Sequence, residues 1–300
     1  MTSSLAEMDK TDPKVPCLIC GEQSHRLLLR LTDGELLQCL SCSFVFQDSL
    51  GETHEVLSFE KYYDLFSDVN IWTKSRKKLF HHFLHEIEKR VEGKRLLDAG
   101  AGIGYFVHLA KKQGWDALGV DLSEKACRLA NDLFGATVFQ GTMSTLRKEK
   151  DPFDAVVFLD SLYYSRDPSR DLKEAYSLLR SRGIVALRLT NVHFHFLAYR
   201  IFQWFGPLLR RSGVEKLFVF HFCLFSPKTI RILLERCGYQ EVKIWNSPLT
   251  SGDPYGLMKG LGPLGVWIKS FIFSILQGIA WGSCGKILIG PSLEVYARKP

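Results

Sequence analysis

The chain has 300 residues, 46% of them apolar and 24% charged, with a formal net charge of +7 at pH 7. That balance is the profile of a packed globular chain with room for one large domain and appendages, and it excludes extended disorder beyond the ends. The charge suits an anionic membrane surface or an anionic substrate about as well as nucleic acid, so by itself it selects no partner.

Residues 1–14 are polar and read as a disordered N-terminus. The first sixteen residues carry no apolar run of signal-peptide length, and the chain reads as cytoplasmic. Cys17-Leu18-Ile19-Cys20 is followed, after eighteen intervening residues, by Cys39-Leu40-Ser41-Cys42. Two close cysteine pairs match tetrahedral zinc coordination, each Cys-x-x-Cys forming a knuckle with a hairpin between them. Disulfides are the competing reading. A cytoplasmic chain keeps its thiols reduced, and Cys127, Cys223 and Cys237 stand singly in helical or apolar runs. Four cysteine ligands leave no open position for water, so Cys17, Cys20, Cys39 and Cys42 predict a structural zinc ribbon over 15–50, with Ser43-Phe44-Val45-Phe46 as its closing strand.

Residues 51–92 read as a linker and a helix. From Trp72 to Arg90, the residues Leu79, Phe80, Phe83, Leu84 and Ile87 recur at helical spacing and predict an amphipathic helix beside a sheet. Leu96-Leu97-Asp98-Ala99 then runs into Gly100, Gly102 and Gly104 and a helix from about Tyr105 to Gln113. Alternating glycines let the backbone turn tightly and approach a ligand, at a helix N-terminus with free N–H groups. The dinucleotide fingerprint Gly-x-Gly-x-x-Gly fails by one residue, at Tyr105; Asp-x-Gly-x-Gly-x-Gly fits. A tight strand-to-helix turn with no ligand is the competing reading of these glycines alone. The next strand, Trp115 to Val120, stops at Asp121, about twenty residues past the glycines. A carboxylate at that strand tip can accept both ribose hydroxyls of an adenosine. Leu122-Ser123-Glu124 caps the helix that follows.

Further strands are expected over Ala136–Gln140, ending at Gly141-Thr142-Met143, and over Phe153–Leu159, ending at Asp160-Ser161-Leu162-Tyr163-Tyr164, with Asp167-Pro168 opening a helix. Strands at Gly183–Thr190, Glu241–Trp245 and Ser292–Arg298, with a helix over Pro227–Cys237, complete a doubly wound α/β sheet of seven strands. Ligands in such sheets bind beyond the carboxyl ends of the strands, which puts Asp160 to Tyr164 at the border of the site. Two insertions interrupt the pattern within residues 93–300, at about 191–225 and 248–291. The first is aromatic and carries His221 before Phe225-Ser226-Pro227. In the second, Val266, Trp267, Phe271, Ile272, Ile275, Leu276 and Ile279 fall on one helical side and Lys269, Ser270, Ser274 and Gln277 on the other. That is poor for a spanning helix and predicts an interfacial helix or a lid.

The Asp98-to-Gly104 motif resembles the first motif of the class I S-adenosylmethionine (SAM) methyltransferases, and Asp121 matches the second. With a Cys-x-x-Cys ribbon, an aromatic strand and Tyr62-Tyr63 in front, the chain is similar over nearly its whole length to bacterial SAM methyltransferases that carry an N-terminal zinc ribbon, many of them sugar, glycolipid and secondary-metabolite enzymes. The resemblance implies a Rossmann-like seven-stranded fold with a reversed final hairpin, SAM as cofactor, and methyl transfer to oxygen, nitrogen or carbon of a small-molecule, glycan or lipid-linked acceptor. It further implies Asp98 serving the cationic methionine end, the glycines as cradle, Asp121 at the ribose, and Leu122 beside it in the cofactor pocket. Thr142 and Met143 stand where many relatives meet the adenine with an acid. Tyr62 and Tyr63 would sit near the sulfonium, where an aromatic face attracts a cation, with plain packing between ribbon and core as the competing reading. Asp160 would border the reacting centre, and His221 has the pKa class of a general base at neutral pH, with a core or lid histidine as the competing reading. Quinone-type relatives often show Glu-His-Val where this chain has Asp160-Ser161-Leu162, so a metal-assisted mechanism built on that pair is not implied. The insertions would cover the acceptor, either as a closed lid or as a hydrophobic mouth on the inner face of a membrane. Two other classes compete: an RNA methyltransferase, against which the basic residues are scattered and no Asn-Pro-Pro-Tyr motif occurs, and a non-catalytic SAM-fold binding module.

Overall fold

The computed structural model describes residues 15–31, 34–48, 69–146, 151–209, 221–250, 271, 274–275, 278–283 and 287–300. The N-terminal segment 1–14, Tyr62 and Tyr63 lie outside these residues. The chain runs β1 (His25–Leu31), β2 (Gly34–Cys39), β3 (Val45–Asp48), α1 (Val69–Glu88), β4 (Arg95–Ala99), α2 (Tyr105–Lys112), β5 (Asp116–Asp121), α3 (Glu124–Phe134), β6 (Val138–Gln140), β7 (Phe153–Leu159), α4 (Pro168–Leu178), β8 (Leu179–Thr190), α5 (Val192–Leu209), β9 (Cys223–Leu224), α6 (Pro227–Arg236), β10 (Gln240–Asn246) and β11 (Ser292–Arg298).

Seven strands form one sheet in the order β10-β11-β8-β7-β4-β5-β6. The five strands from β8 to β6 run parallel to one another. The pairs β11–β8 and β10–β11 are antiparallel, which is the reversed hairpin expected at this edge. The central strand β7, Phe-Asp-Ala-Val-Val-Phe-Leu, is buried at every position, as a parallel strand covered on both faces requires. Successive residues feed opposite layers. Leu96, Ala155, Val157 and Ala186 pack with Leu79, Phe83, Leu84 and Ile87 of α1, so the predicted helical stripe is the buried one. Leu97, Val156, Val185 and Leu187 face α4 and α6 on the other side.

Local signals begin the helices as read. Ser123 accepts the N–H of Ala126 at 3.0 Å, Asp167 accepts that of Arg170 at 2.9 Å, and Ser226 with Thr229 forms a capping box ahead of Pro227. One strand is shorter than its sequence suggests: β6 starts at Val138, because Gly135 at φ 59° ends α3 and the N–H of Ala136 bonds back to Ala130.

The N-terminal sheet has the order β1-β2-β3-β9, so its fourth strand comes from far along the chain. Its third strand begins at Val45, two residues later than expected from Ser43, because Ser43 at φ 67° belongs to the knuckle turn and bonds back to Cys39. Among the described residues no helix is long and apolar enough to cross a membrane.

Candidate active site

The glycine turn is built as its residue types require. Gly100, Gly102 and Gly104 have φ of 81°, 54° and 70°, so every second residue is left-handed. At Gly100 a Cβ would stand 2.4 Å from that of Ser161, whose Oγ donates to Ala99 O at 2.6 Å. The loops that follow β4 and β7 therefore lie against each other. At Gly104 a Cβ would meet those of Ala130 and Ala136 at 2.8 Å, so this glycine serves the packing of α2 on α3.

Two carboxylates flank the turn at the tips of neighbouring parallel strands. Asp98 is buried, and burial together with repulsion from Asp121 pushes its pKa up to about 8. Asp121 braces the turn: Oδ2 accepts the N–H of Gly102 at 2.7 Å and Oδ1 that of Ser123 at 2.9 Å. Leu122 beside it is 51% exposed, unusual for leucine at a strand tip, and presents an apolar face there. Thr142 shares a hydroxyl contact of 2.7 Å with Ser144. Met143 is buried in the core, which leaves Thr142 as the polar side chain of this pair.

Asp160 follows β7 with φ 64°, a strained geometry for a non-glycine residue. Its carboxylate pairs with Arg188 of β8 at 2.5 Å and with Arg76 of α1 at 2.5 Å, and Arg188 Nε donates to Ser247 at 3.1 Å. Burial alone would raise the Asp160 pKa, but the charges of Arg188 and Arg76 outweigh it and hold the carboxyl below its ordinary value. The arginines escaped the sequence reading: Arg188 is the one cation in the apolar run Gly183–Thr190, a usable signal, whereas Arg76 sits in the basic run Lys74-Ser75-Arg76-Lys77-Lys78, which gives none.

His221 lies half-buried with its ring stacked on Tyr163, centroids 4.1 Å apart, and edge-on to Tyr164 at 4.8 Å. Burial, with His195 adding to it and Asp160 opposing, lowers its pKa to about 3. Burial likewise lowers His195 to about 4, against a hydrogen bond to Pro291. Two neutral imidazoles, two tyrosines and an ionised aspartate thus gather beyond the carboxyl ends of β7 and β8. His195 was hidden in an aromatic run.

The four cysteines of the ribbon converge. Their sulfurs lie within 4.8 Å of one another, with Cys17 and Cys42 3.5 Å apart and Cys20 and Cys39 3.4 Å apart. Those separations exceed a disulfide's ~2.05 Å. They approach the roughly 3.8 Å edge of a tetrahedron with ~2.3 Å metal–sulfur bonds. The cluster therefore has the donor set and geometry of a zinc ribbon.

Residues 72–244, more than half of the chain, match the family model described as a methyltransferase domain, and the chain belongs to that family. Two rice (Oryza sativa subsp. japonica) 2-methyl-6-phytyl-1,4-hydroquinone methyltransferases of the chloroplast are similar to it. One is 34% identical over 114 residues, 36% of this chain and 32% of the relative, and the other 25% identical over 197 residues, 61% and 51% respectively. The chain thus spans about a third to a half of the length of the curated relatives it matches. The crystal structure of a SAM-dependent methyltransferase from Thermotoga maritima superposes with a TM-score of 0.51 at 18% identity, over 82% of this chain and 99% of that one, a likeness of fold.

Proposed function

We propose that the chain transfers a methyl group from SAM to a small-molecule acceptor, of the sugar, glycan or lipid-linked kind or a hydroquinone such as the rice relatives are named for. The observation that carries this reading is the pair Asp98 and Asp121 on either side of the left-handed glycine turn, at the tips of adjacent parallel strands. When bound, SAM supplies an electrophilic methyl on a sulfonium. Asp98 would meet the ammonium end, Asp121 would keep lone pairs for the ribose hydroxyls while its N–H partners fix its orientation, exposed Leu122 would give the cofactor an apolar contact, and Thr142 would offer a hydroxyl toward the adenine. Tyr63, outside the described residues, is the proposed aromatic neighbour of the sulfonium. On the acceptor side Asp160 stays ionised and holds Arg76 and Arg188 in place. His221 is the proposed acceptor of the proton an acceptor hydroxyl gives up; its pKa, lowered to about 3 rather than lying near neutral as its residue type suggested, makes it a weak base, so alignment with exclusion of water supplies most of the rate. Zinc held by Cys17, Cys20, Cys39 and Cys42 is structural, since four protein ligands fill its shell. Turnover on an acceptor panel that includes hydroquinones and sugars tests the reading. Calorimetric SAM binding without any turnover would leave a binding module instead.

The state of Asp98 makes a further expectation. Its raised pKa means that free protein holds a proton there below about pH 8, whereas a cationic ligand favours the ionised form. SAM binding below pH 8 should therefore release close to one proton, and affinity should rise with pH until about 8 and then level off. Calorimetry in buffers of different ionisation enthalpy reads the release, and Asp98→Asn should abolish it.

We also propose that the second insertion rests on an anionic membrane surface. Phe271, Ile275 and Ile279 recur every fourth residue and are 54%, 48% and 40% exposed, Trp281 is 87% exposed, and Ala280 is buried on the other side. An outward apolar stripe beside a buried face fits an interfacial helix better than a closed lid. Arg200, whose side chain is exposed, lies within the first insertion. Arg210, Arg211, Lys259, Trp267 and Lys269, which the same reading invokes, lie outside the described residues. Wild type should float with anionic liposomes at low salt, and a variant with Phe271, Ile275 and Trp281 changed to serine should stay behind. A wild type that remains soluble overturns the membrane reading.

A further inference from the structure

The ribbon is joined to the acceptor side of the site by a strand pairing. β9, which begins two residues after His221, is the fourth strand of the ribbon sheet: Val45 pairs with Leu224 and Phe46 with Cys223, and the N–H of Gln47 donates to Phe222 O at 2.9 Å. Phe222 is the residue next to His221. β3 in turn starts from the second knuckle, where the N–H of Cys39 donates to Phe44 O at 2.8 Å and that of Ser43 to Cys39 O at 3.0 Å. Phe44 packs on Phe225 with centroids 5.3 Å apart, and Arg236 of α6 donates to Ile19 O in the first knuckle at 2.8 Å. The thiol of Cys223 reaches Ser165 O at 3.3 Å, at the end of the turn that carries Tyr163 and Tyr164. The cofactor carboxylates Asp98 and Asp121 stand on β4 and β5, in the other sheet.

We infer that β3 is the positioning element for His221, so that metal at the four cysteines orders the acceptor half of the active site through the β3–β9 pairing while the cofactor half forms without it. The knuckle geometry sets where β3 begins, and β3 sets the height of β9. β9 then holds the imidazole against Tyr163. This is a contiguous route of hydrogen bonds and packed rings about six residues long, which is the kind of path that carries coupling between sites. It rests on the reading that His221 faces the acceptor.

The test compares zinc-loaded protein, the same protein stripped by a strong chelator, and zinc-loaded Gln47→Pro, which removes an N–H that faces β9 while leaving all four cysteines in place. Three quantities are read: amide exchange at Phe222 to Leu224, the ring-current-shifted imidazole signals of His221 assigned by their loss in His221→Asn, and affinity for S-adenosylhomocysteine. Stripping and Gln47→Pro should each speed exchange there at least tenfold and move the His221 signals, with S-adenosylhomocysteine affinity held within twofold. Zinc added back should restore the stripped wild type. Unchanged exchange and signals after zinc loss would overturn the inference, as would affinity falling in step with them. Zinc loss that moves the signals when Gln47→Pro does not would overturn the route through β9. Normal turnover in His221→Asn on the acceptor panel would instead refute the role given to His221, leaving the exchange result to stand or fall by itself.

Discussion

Asp121→Ala should lower SAM affinity about tenfold to a hundredfold, the roughly 1.5–3 kcal/mol of a hydrogen bond to a charged group. The structure adds a second route to that loss. Because Oδ2 also holds the Gly102 N–H at 2.7 Å, the alanine variant loosens the glycine turn as well as removing the acceptor for ribose. Asp121→Asn separates the two, since its amide oxygen can keep one of the braces without the charge, and it should fall between wild type and alanine. The β5 backbone is tied into the sheet through Gly119, Val120 and Asp121 main-chain pairs, so the fold should persist and thermal unfolding should shift little. Calorimetric titration that shows unchanged affinity would remove Asp121 from the cofactor site.

The second large effect is expected at the cysteines. Protein purified without chelator should carry one zinc per chain, and Cys17→Ser combined with Cys39→Ser should cost several kcal/mol of stability, because metal-binding energy at such a site is folding energy. For a chain of this size that corresponds to a drop in melting temperature on the order of 10 °C. The effect should reach beyond the ribbon, since Cys17, Cys39, Cys42, Phe44 and Phe46 share one core with Leu162, Tyr163, Val185 and Phe225. SAM affinity should change less than threefold, as the proposed cofactor carboxylates stand on β4 and β5, which share a core with the ribbon but pair with none of its strands. Elemental analysis without zinc would remove the ribbon reading, and a loss of affinity as large as that from Asp121→Ala would contradict the separation of the two halves.

Much of the sheet and its cofactor edge was legible because the determinants are local. Apolar runs bounded by glycine, proline and acids located β4, β5, β7, β8, β10 and β11, and left-handed glycines with an aspartate at either end are a pattern within about twenty-five residues of chain. The tight Cys-x-x-Cys spacing is local in the same sense. Its consequence for β3 was read to within two residues, the difference lying in a single left-handed serine.

The acceptor side was less legible, and the reason is separation along the chain. Asp160 was placed by its position at the tip of a strand, but nothing near it foretold that Arg76, 84 residues earlier, would share its carboxylate with Arg188 and hold it ionised. His221 was found by its position before Phe225-Ser226-Pro227, whereas its stacking on Tyr163 and its neighbour His195 depend on how the first insertion folds back. The pairing of β3 with β9 joins residues nearly 180 positions apart, between a strand of four residues and one of two, too short to carry a period of their own. The sequence by itself determined the elements and the left-handed glycine turn, because hydrophobic period, capping and glycine geometry act over a few residues. The tertiary structure alone decided which charges are neutralised, which imidazoles are drawn partly out of water and which strand completes the ribbon, because burial and pairing are set by whatever the rest of the chain brings alongside.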